Sequence, residues 1–374
     1  MIRSFLPIGQ GGFAVEQFSR NKINIVFDCG TKTNIGKVGS QKLVEALICR
    51  TFEPGEQIHM VFVSHLHDDH INGLPFLLRY CKVKRIYLPY LTPVEQAITI
   101  FLLQETMDID SLRLFRSLIT GNGLRDFDID TRVVYVMPPE QNENISNSDQ
   151  ATIMSGESIE IGLHDARTAP EWEFIPYCYE GDARSKDFKA LLLEQGITSD
   201  DIQRFLSERF WEKDELFWKI KQIYTRIEND LNFTTMVVYS GAKSKYIRQY
   251  HCAGNNCEIS QLMNCWNLEE SGCLYTGDYR ASSDDEWEDL KRAYDKVWDR
   301  IGIFTLPHHG SDKNYNEEFS TQNAIIIINA GYANRYGHPS RKVLCNLIEN
   351  KCKFFWVNEH ISSQAIFRII PFFL

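Results

Sequence analysis

The stretch that decides the fold is Met60-Val61-Phe62-Val63-Ser64-His65-Leu66-His67-Asp68-Asp69-His70. Its apolar, β-branched start predicts a buried strand, and that strand ends in a cluster of imidazoles and carboxylates. His65 and His67 are two residues apart, so both can turn inward and share one cation, while Asp69 and His70 can reach a second. Nitrogen and carboxylate donors together suit zinc, manganese or iron better than calcium or magnesium alone. The alternative is a polar turn that happens to carry histidines, but the spacing favours a metal site.

The order His-x-His-x-Asp-His resembles the signature of the metallo-β-lactamase superfamily. The resemblance continues in three stretches that each end a strand or form a loop: Ile25–Gly30, which contains Asp28, Leu274–Asp278, and Tyr336-Gly337-His338-Pro339. Three further motifs narrow the resemblance to one subfamily: Ile8-Gly9-Gln10-Gly11, Pro307-His308-His309-Gly310-Ser311 and Asn334-Arg335-Tyr336-Gly337-His338-Pro339. Together they look like the lactamase-like domain of the bacterial DNA-uptake (competence) channel protein and its soluble relatives, which are metal-dependent nucleases and phosphodiesterases. The resemblance covers residues 1–90 and 232–357.

The resemblance implies two divalent metal ions per chain, zinc or manganese, that activate a water between them. The implied ligands are shared between the two ions as follows: His65 and His67 on metal one, Asp69, His70 and His338 on metal two, and Asp278 as the bridge. Most of the superfamily places a third histidine on metal one, but this chain has the asparagine-containing stretch 229–235 there. An oxygen donor, water or substrate would then replace the imidazole, and His164 is an alternative donor.

The remaining polar residues of these motifs are candidates for catalysis and substrate binding. Asp69 can orient the attacking water or accept its proton, and one histidine of the His308-His309 pair can protonate the leaving oxygen. We expect His309 to be the functional one and His308 to support it. The candidate substrate contacts are four polar residues: Asn232, Ser311, Asn334 and Arg335.

Composition indicates a globular enzyme rather than a membrane protein. The chain has 374 residues, 43% of them hydrophobic, and no apolar run is long enough to span a bilayer. Ten scattered cysteines predict reduced thiols and a cytoplasmic location. The group Cys252, Cys257, Cys265 and Cys273 lacks paired C-x-x-C spacing, so a structural zinc is disfavoured. The net charge of −10 counts against binding long nucleic acids through a broad basic face.

The order of predicted elements favours an α+β fold, a four-layer αββα metallo-β-lactamase sandwich. We expect residues 1–374 to form a single domain and residues 93–230 to form a helical insertion over the active site, which would act as a lid or as a surface for a protein partner. Helices are predicted over 40–50, 71–80, 93–119, 185–228, 284–298 and 340–350. The sequence does not indicate the oligomeric state.

Three functions follow from these observations. The first is a metal-dependent nuclease that hydrolyses DNA, in a defence or DNA-processing system, so nucleic acid is the expected partner. The second is a phosphodiesterase for a small substrate, such as a cyclic nucleotide or a phospholipid headgroup, which the acidic balance favours. The third is a non-catalytic module that binds metal for regulation, and the complete ligand set argues against it.

Overall fold

The computed structural model describes residues 1–18, 22–121, 124, 127, 129–139, 151–161, 171–179, 190–207, 215–226, 235–243, 247–251, 269–332 and 334–371. The predicted contact Asn232, the alternative ligand His164 and three of the four grouped cysteines lie outside these residues.

The strands of this part of the chain are, in order, β1 (Ile2–Phe5), β2 (Gly11–Phe18), β3 (Ile23–Thr31), β4 (Gln57–Ile58), β5 (Met60–Phe62), β6 (Lys82–Val83), β7 (Arg85–Pro89), β8 (Arg132–Met137), β9 (Ala151–Met154), β10 (Ile159–Ile161), β11 (Trp172–Cys178), β12 (Met236–Ala242), β13 (Ile247–His251), β14 (Glu269–Glu270), β15 (Gly272–Tyr275), β16 (Ile301–Thr305), β17 (Ile325–Asn329), β18 (Phe354–Val357) and β19 (Ala365–Pro371). They form a large sheet in the order β14-β13-β19-β1-β2-β3-β5-β7-β8-β9 and a second sheet in the order β10-β11-β12-β15-β16-β17-β18. A short β4-β6 ribbon is separate from both.

The α-helices of the described residues are α1 (Ser40–Thr51), α2 (Asp68–Ile71), α3 (Leu74–Tyr80), α4 (Pro93–Thr106), α5 (Ile109–Thr120), α6 (Ser199–Ser207), α7 (Glu215–Arg226), α8 (Asp284–Ala293) and α9 (Arg341–Glu349). Single 3₁₀ turns occur at Asp295–Arg300, Pro307–Gly310, Glu317–Thr321 and Ile361–Ser363. None of these helices is long and apolar enough to cross a bilayer.

Three apolar cores separate four layers, as the sequence predicted. The middle core lies between the two sheets and is rich in aromatic rings; Phe27, for example, stacks on Tyr275 with ring centroids 3.7 Å apart. A second core joins the outer face of the large sheet to α1, α3, α4 and α5. A third joins the outer face of the second sheet to α8 and α9. The αββα architecture is therefore confirmed.

The predicted helix over 93–119 is divided in two. Met107 adopts an extended backbone and ends α4, and the Asp108 side chain then accepts hydrogen bonds from the backbone of Asp110 and Ser111. An aspartate in this position satisfies the first free N–H groups of a helix, so the chain starts α5 instead of continuing α4. The break lets the two helices pack on the same sheet face.

The predicted insertion contains more than helices. Within the range 93–230, β8 and β9 extend the large sheet, while β10 and β11 extend the second one. The helix α6 packs on α4 and α5, and Arg116 of α5 donates a 2.5 Å hydrogen bond to the carbonyl of Leu206. The boundaries of an insertion and its role as a lid or partner surface stay predictions.

Parallel pairing brings the loops after several strands to one edge of the sandwich. In the large sheet, β3, β5 and β7 run parallel, and in the second sheet β15, β16 and β17 do so. The carboxyl ends of parallel strands in α/β sheets are a common place for ligands. At this edge the backbone N–H of Met236 donates to the carbonyl of Ser64, which ties the two sheets together.

Candidate metal centre

The first half of the site is built by the end of β5 and the turn that follows. After Ser64, the chain presents His65 and His67 and then folds into the short helix α2, which carries Asp69 and His70. Gly30 at the end of β3 lets this helix lie close to the sheet, because a Cβ there would come within 2.5 Å of the Ile71 nitrogen. The local backbone therefore places all four polar side chains on one side of the sheet edge.

The second sheet supplies the other half. Asp278 follows β15, and His309 follows β16 in a 3₁₀ turn. Ligand atoms of His65, His67 and Asp278 lie within 4.8 Å of one another, and so do those of Asp69, His70 and His309. The fold thus unites two triads whose members are separated by more than 200 residues in the chain.

Three contacts of equal length, two within the triads and one between them, join an imidazole nitrogen to a carboxylate oxygen. Nε2 of His65 and Nε2 of His70 lie 3.3 Å from the two different oxygens of Asp278. Nε2 of His309 lies 3.3 Å from Oδ2 of Asp69. The Asp278 carboxylate therefore faces both triads, which is the position that the sequence predicted for the bridging ligand.

The other nitrogen of each ring determines what these Nε2 atoms can do. Nδ1 of His70 donates to Asp28 at 2.8 Å, and Nδ1 of His309 donates to the carbonyl of Asn329 at 2.8 Å. With Nδ1 carrying the proton, a neutral ring turns the lone pair of Nε2 toward the facing carboxylate. Two lone-pair atoms can face each other in this way only with a cation or a proton between them.

These residues fit a divalent metal. Within the described residues, Nε2 of His65 and Nε2 of His70 are buried and have no hydrogen-bond partner. Two donors that each lie about 2.0–2.1 Å from a tetrahedral zinc are separated by roughly 3.3–3.4 Å, which is close to the contacts observed here. The donor set of imidazoles and carboxylates also suits zinc or manganese. The identity and number of the ions stay predictions.

Asp28 orients neighbouring residues of the site through hydrogen bonds. Its carboxylate accepts the backbone N–H of Ser64 at 2.7 Å, the Ser64 hydroxyl at 2.8 Å and Nδ1 of His70. Asp28 itself has a left-handed backbone, with φ of 52°. A carboxylate behind a ligating histidine sets the ring orientation and makes it a better donor. Asp28 therefore links the end of β3 to the ligands that follow β5.

Burial and neighbouring charges shift the pKa values of several groups at the site. Burial lowers the pKa of His67 to about 3, so its imidazole is neutral at pH 7. Burial alone would raise the pKa of Asp278, but His308, His65 and His70 outweigh it and hold that pKa well below its usual value. Burial opposes charge on His70, yet Asp28 and Asp278 raise its pKa well above the ordinary value. The surroundings of the site therefore stabilise positive charge.

The two adjacent histidines after β16 separate in space. Both have left-handed backbones, with φ of 48° at His308 and 58° at His309. His309 is buried in the second triad, whereas His308 is 25% exposed and its Nε2 lies 3.7 Å from Asp278. Nδ1 of His308 lies 3.0 Å from Oδ1 of Asn314. The structure thus puts His309 among the ligand atoms and His308 at the mouth of the site.

His338 borders the site without joining either triad. Its ring centroid lies 5.4 Å from that of His308 and 6.4 Å from that of His309, and its Nδ1 lies 3.3 Å from Nε2 of Gln10. Burial, with added repulsion from His309 and His308, lowers its pKa to about 4. Its role as a ligand of metal two stays a prediction.

The predicted substrate contacts have different surroundings. The Asn334 side chain binds its own loop, because its oxygen accepts N–H groups of Tyr336 and His338 and its amide donates to Gly331 at 2.6 Å. Ser311 is buried, and Arg335 is exposed. Their binding of substrate stays a prediction.

Sequence reasoning missed two residues that contact the site. Lys32 follows β3 and donates to Oδ1 of Asp69 at 2.8 Å, and Gln10 precedes β2 and contacts His338. Gln10 belongs to the glycine-rich stretch Ile8–Gly11, whose pattern does not indicate a side-chain contact with the site. One sequence feature could have indicated a role for Lys32 at the site: it lies just beyond the strand that carries Asp28.

Comparison with known proteins agrees with this geometry. Residues 14–95, which include the whole His-x-His-x-Asp-His stretch, match the model of the Metallo-beta-lactamase superfamily. This part of the chain, from β2 to the start of α4, is therefore similar to that superfamily. Most members of this superfamily are metal-dependent hydrolases. The fold prediction is confirmed, the superfamily resemblance is supported over residues 14–95, and the narrower resemblance to the DNA-uptake protein stays a prediction.

Several solved structures are similar to this chain at low sequence identity. Zn²⁺-bound PqqB from Methylobacterium extorquens is 10% identical with a TM-score of 0.43, covering 95% of this chain and 97% of its own. MEM-A1, a subclass B3 metallo-β-lactamase from a soil metagenome library, is 9% identical with a TM-score of 0.32, covering 83% and 78%. A diphosphatase of the PhnP family is 10% identical with a TM-score of 0.30, covering 82% and 73%. No curated protein matches the sequence.

Proposed function

We propose that this protein is a divalent-metal-dependent phosphodiesterase, and that its substrate is a nucleic acid, with DNA the first candidate. The observation that carries the proposal is the pair of largely buried triads that meet at Asp278. Each imidazole–carboxylate contact of 3.3 Å supports a cation between its atoms. Two cations bridged by one carboxylate are the arrangement that hydrolases use for in-line attack on phosphorus.

The bound cations would supply Lewis acidity toward the phosphate oxygens and make water a stronger nucleophile at neutral pH. The chain's own residues orient the reactants. Asp69, held between Lys32 and His309, can accept a hydrogen bond from the attacking water through the oxygen that faces the site. Lys32 places a positive charge beside that carboxylate, where it can contact a phosphate oxygen.

The structure favours His308, not His309, as the proton donor to the leaving oxygen. His309 is buried and its Nε2 faces Asp69, so we propose it as a ligand of the second cation. His308 lies at the mouth, and its bond to Asn314 turns Nε2 toward the space beside Asp278. This assignment reverses the order expected from the sequence.

A small nucleotide substrate is the second candidate. The net charge of −10 disfavours a broad contact with a polyanion, because duplex binding gains most of its affinity from basic surface. A compact phosphodiester makes few contacts beyond the metal centre and needs no such surface. A location in the cytoplasm and a role in defence or DNA processing are compatible with either substrate and stay predictions.

The test combines activity with metal content. Purified protein loaded with Mn²⁺ or Zn²⁺ is incubated with labelled single-stranded DNA, duplex DNA, RNA and a panel of cyclic dinucleotides. We expect hydrolysis of at least one class, abolished by Asp69→Ala and by His309→Ala, with metal content reduced in both.

Two further variants test the assignment of His308 as the proton donor. His308→Ala should lower turnover while metal content, measured by plasma mass spectrometry, stays at the wild-type value. The exposed His360 is the matched control, and His360→Ala should change neither quantity. Metal bound at full content with no hydrolysis of any phosphodiester would favour the non-catalytic module and contradict the proposal.

A further inference from the structure

A cavity of about 500 Å³ opens beside the second triad. Its walls come from the start of β2, the loop after β3 and the loop 331–336. Two contacts connect this cavity to the metal centre: Lys32 to Asp69 at 2.8 Å, and Gln10 to His338 at 3.3 Å. Its volume lies within the range of small-molecule sites. A group bound here would therefore lie next to a phosphate held at the triads.

Gln10 indicates that this cavity receives a ligand. The residue is only 3% exposed, and its Oε1 has no hydrogen-bond partner in the part of the chain that the structure describes. A buried carbonyl oxygen without a donor is unfavourable, and such groups are rare in folded proteins. A ligand N–H or O–H that enters the cavity would supply the missing donor.

Tyr336 offers a flat apolar surface at the same place. Its ring is 46% exposed and lies 6.0 Å from the His338 ring at an interplanar angle of 27°. The guanidinium of Arg335 lies over the Tyr336 ring, 5.4 Å from the ring centroid. An exposed ring braced in this way is a stacking surface for a nucleobase.

The charges of the cavity are distributed as a nucleotide requires. Lys32 is close to the triads, where a scissile phosphate would lie, and Arg335 provides a second cation. Asp68 and Glu359 add carboxylate acceptors for ribose hydroxyls or base N–H groups. A purely apolar substrate group would add no polar partner for these four charged side chains.

We propose that this cavity binds the nucleoside next to the scissile phosphate, with its base on Tyr336 and a polar edge on Gln10. The inference rests on the proposed phosphodiesterase function and narrows it. The substrate class is a nucleotide phosphodiester that offers one unstacked base, which means a strand end, a single strand or a small nucleotide. A base inside a duplex could not reach the tyrosine without leaving the stack.

Two p-nitrophenyl esters test the inference by hydrolysis. Thymidine 5′-(p-nitrophenyl phosphate) carries a nucleoside and methyl p-nitrophenyl phosphate does not, while the leaving group is the same. We expect wild-type protein to prefer the thymidine ester, and Tyr336→Ala to reduce the ratio of the two kcat/KM values by roughly 5- to 150-fold, the range measured for loss of one stacked base. Tyr332→Ala is the matched control, because Tyr332 is 69% exposed but does not line the cavity.

A binding measurement separates failure of the subsite from failure of the catalytic proposal. Thymidine 5′-monophosphate is titrated calorimetrically into metal-free protein in EDTA. Weaker binding to Tyr336→Ala and Gln10→Leu than to wild type and Tyr332→Ala supports the subsite even if neither ester is hydrolysed, in which case only the phosphodiesterase function falls. Absence of binding, or equal affinity in all four proteins, overturns the subsite whatever the hydrolysis shows.

Discussion

Arg3 and Glu16 form an ion pair that is completely buried between the two sheets. Nε of Arg3 donates to Glu16 at 2.7 Å, and its other nitrogens donate to Gln249 at 2.6 Å and to the carbonyls of Ser271 and Ser240 at 3.0 and 3.1 Å. The pair therefore joins β1 and β2 of the large sheet to strands on both sides of the sandwich core.

Replacing Arg3 with methionine keeps most of the buried volume but removes every one of these donors. Within the described ranges, the Glu16 carboxylate then keeps only the hydroxyls of Ser240 and Tyr275, at 2.7 and 3.0 Å. Breaking a buried pair in this way costs about 3–5 kcal/mol, because one charge remains buried without its partner. With an unfolding entropy of about 2.1 cal/mol/K per residue, this corresponds to a fall in Tm of roughly 4–6 °C for a chain of this length.

The assay is urea unfolding of metal-free protein, followed by tryptophan fluorescence. The double variant Arg3→Met, Glu16→Leu removes both charges, so we expect it to lose less stability than Arg3→Met alone. Lys291→Met breaks an exposed pair with Glu288 and serves as the control, with an expected change below about 1 kcal/mol. A loss below 1 kcal/mol in Arg3→Met, or a double variant less stable than the single one, would refute this reasoning.

Three further predictions concern the site and its support. Asp28→Asn keeps the shape but weakens the carboxylate behind His70, so we expect metal affinity to fall by about 10- to 100-fold in a competition assay with a chelating dye; unchanged affinity would contradict the positioning role. Gly30→Ala places a Cβ within 2.5 Å of the Ile71 nitrogen, so α2 must shift and metal content should fall in mass spectrometry, whereas a variant with full metal content would show that the close approach is not needed. Thr92→Ala removes the capping box of α4 and should reduce the free energy of unfolding by about 1 kcal/mol with no effect on metal content, and any loss of metal would argue against a purely local role.

Local patterns predicted much of the fold correctly. The strand predicted from Met60 overlaps β5, and the helices predicted over 40–50, 284–298 and 340–350 overlap α1, α8 and α9, because the spacing of apolar residues reflects which faces are buried. The sequence did not reveal β19, although it pairs with β1 at one end of the chain and with β13 further along. Such pairing depends on partners hundreds of residues away, which no local pattern contains.

By itself, the sequence predicted that one short stretch, His65 to His70, presents several metal-ligand types together, because these side chains are neighbours in the chain at the end of a strand. Only the tertiary structure decided which distant residues complete the site. His308 and His309 are adjacent and chemically identical, yet left-handed backbone angles send one ring into the second triad and the other to its mouth. His309 is held by the carbonyl of Asn329 at the end of β17, and this contact exists only because β16 and β17 lie side by side in the folded sheet.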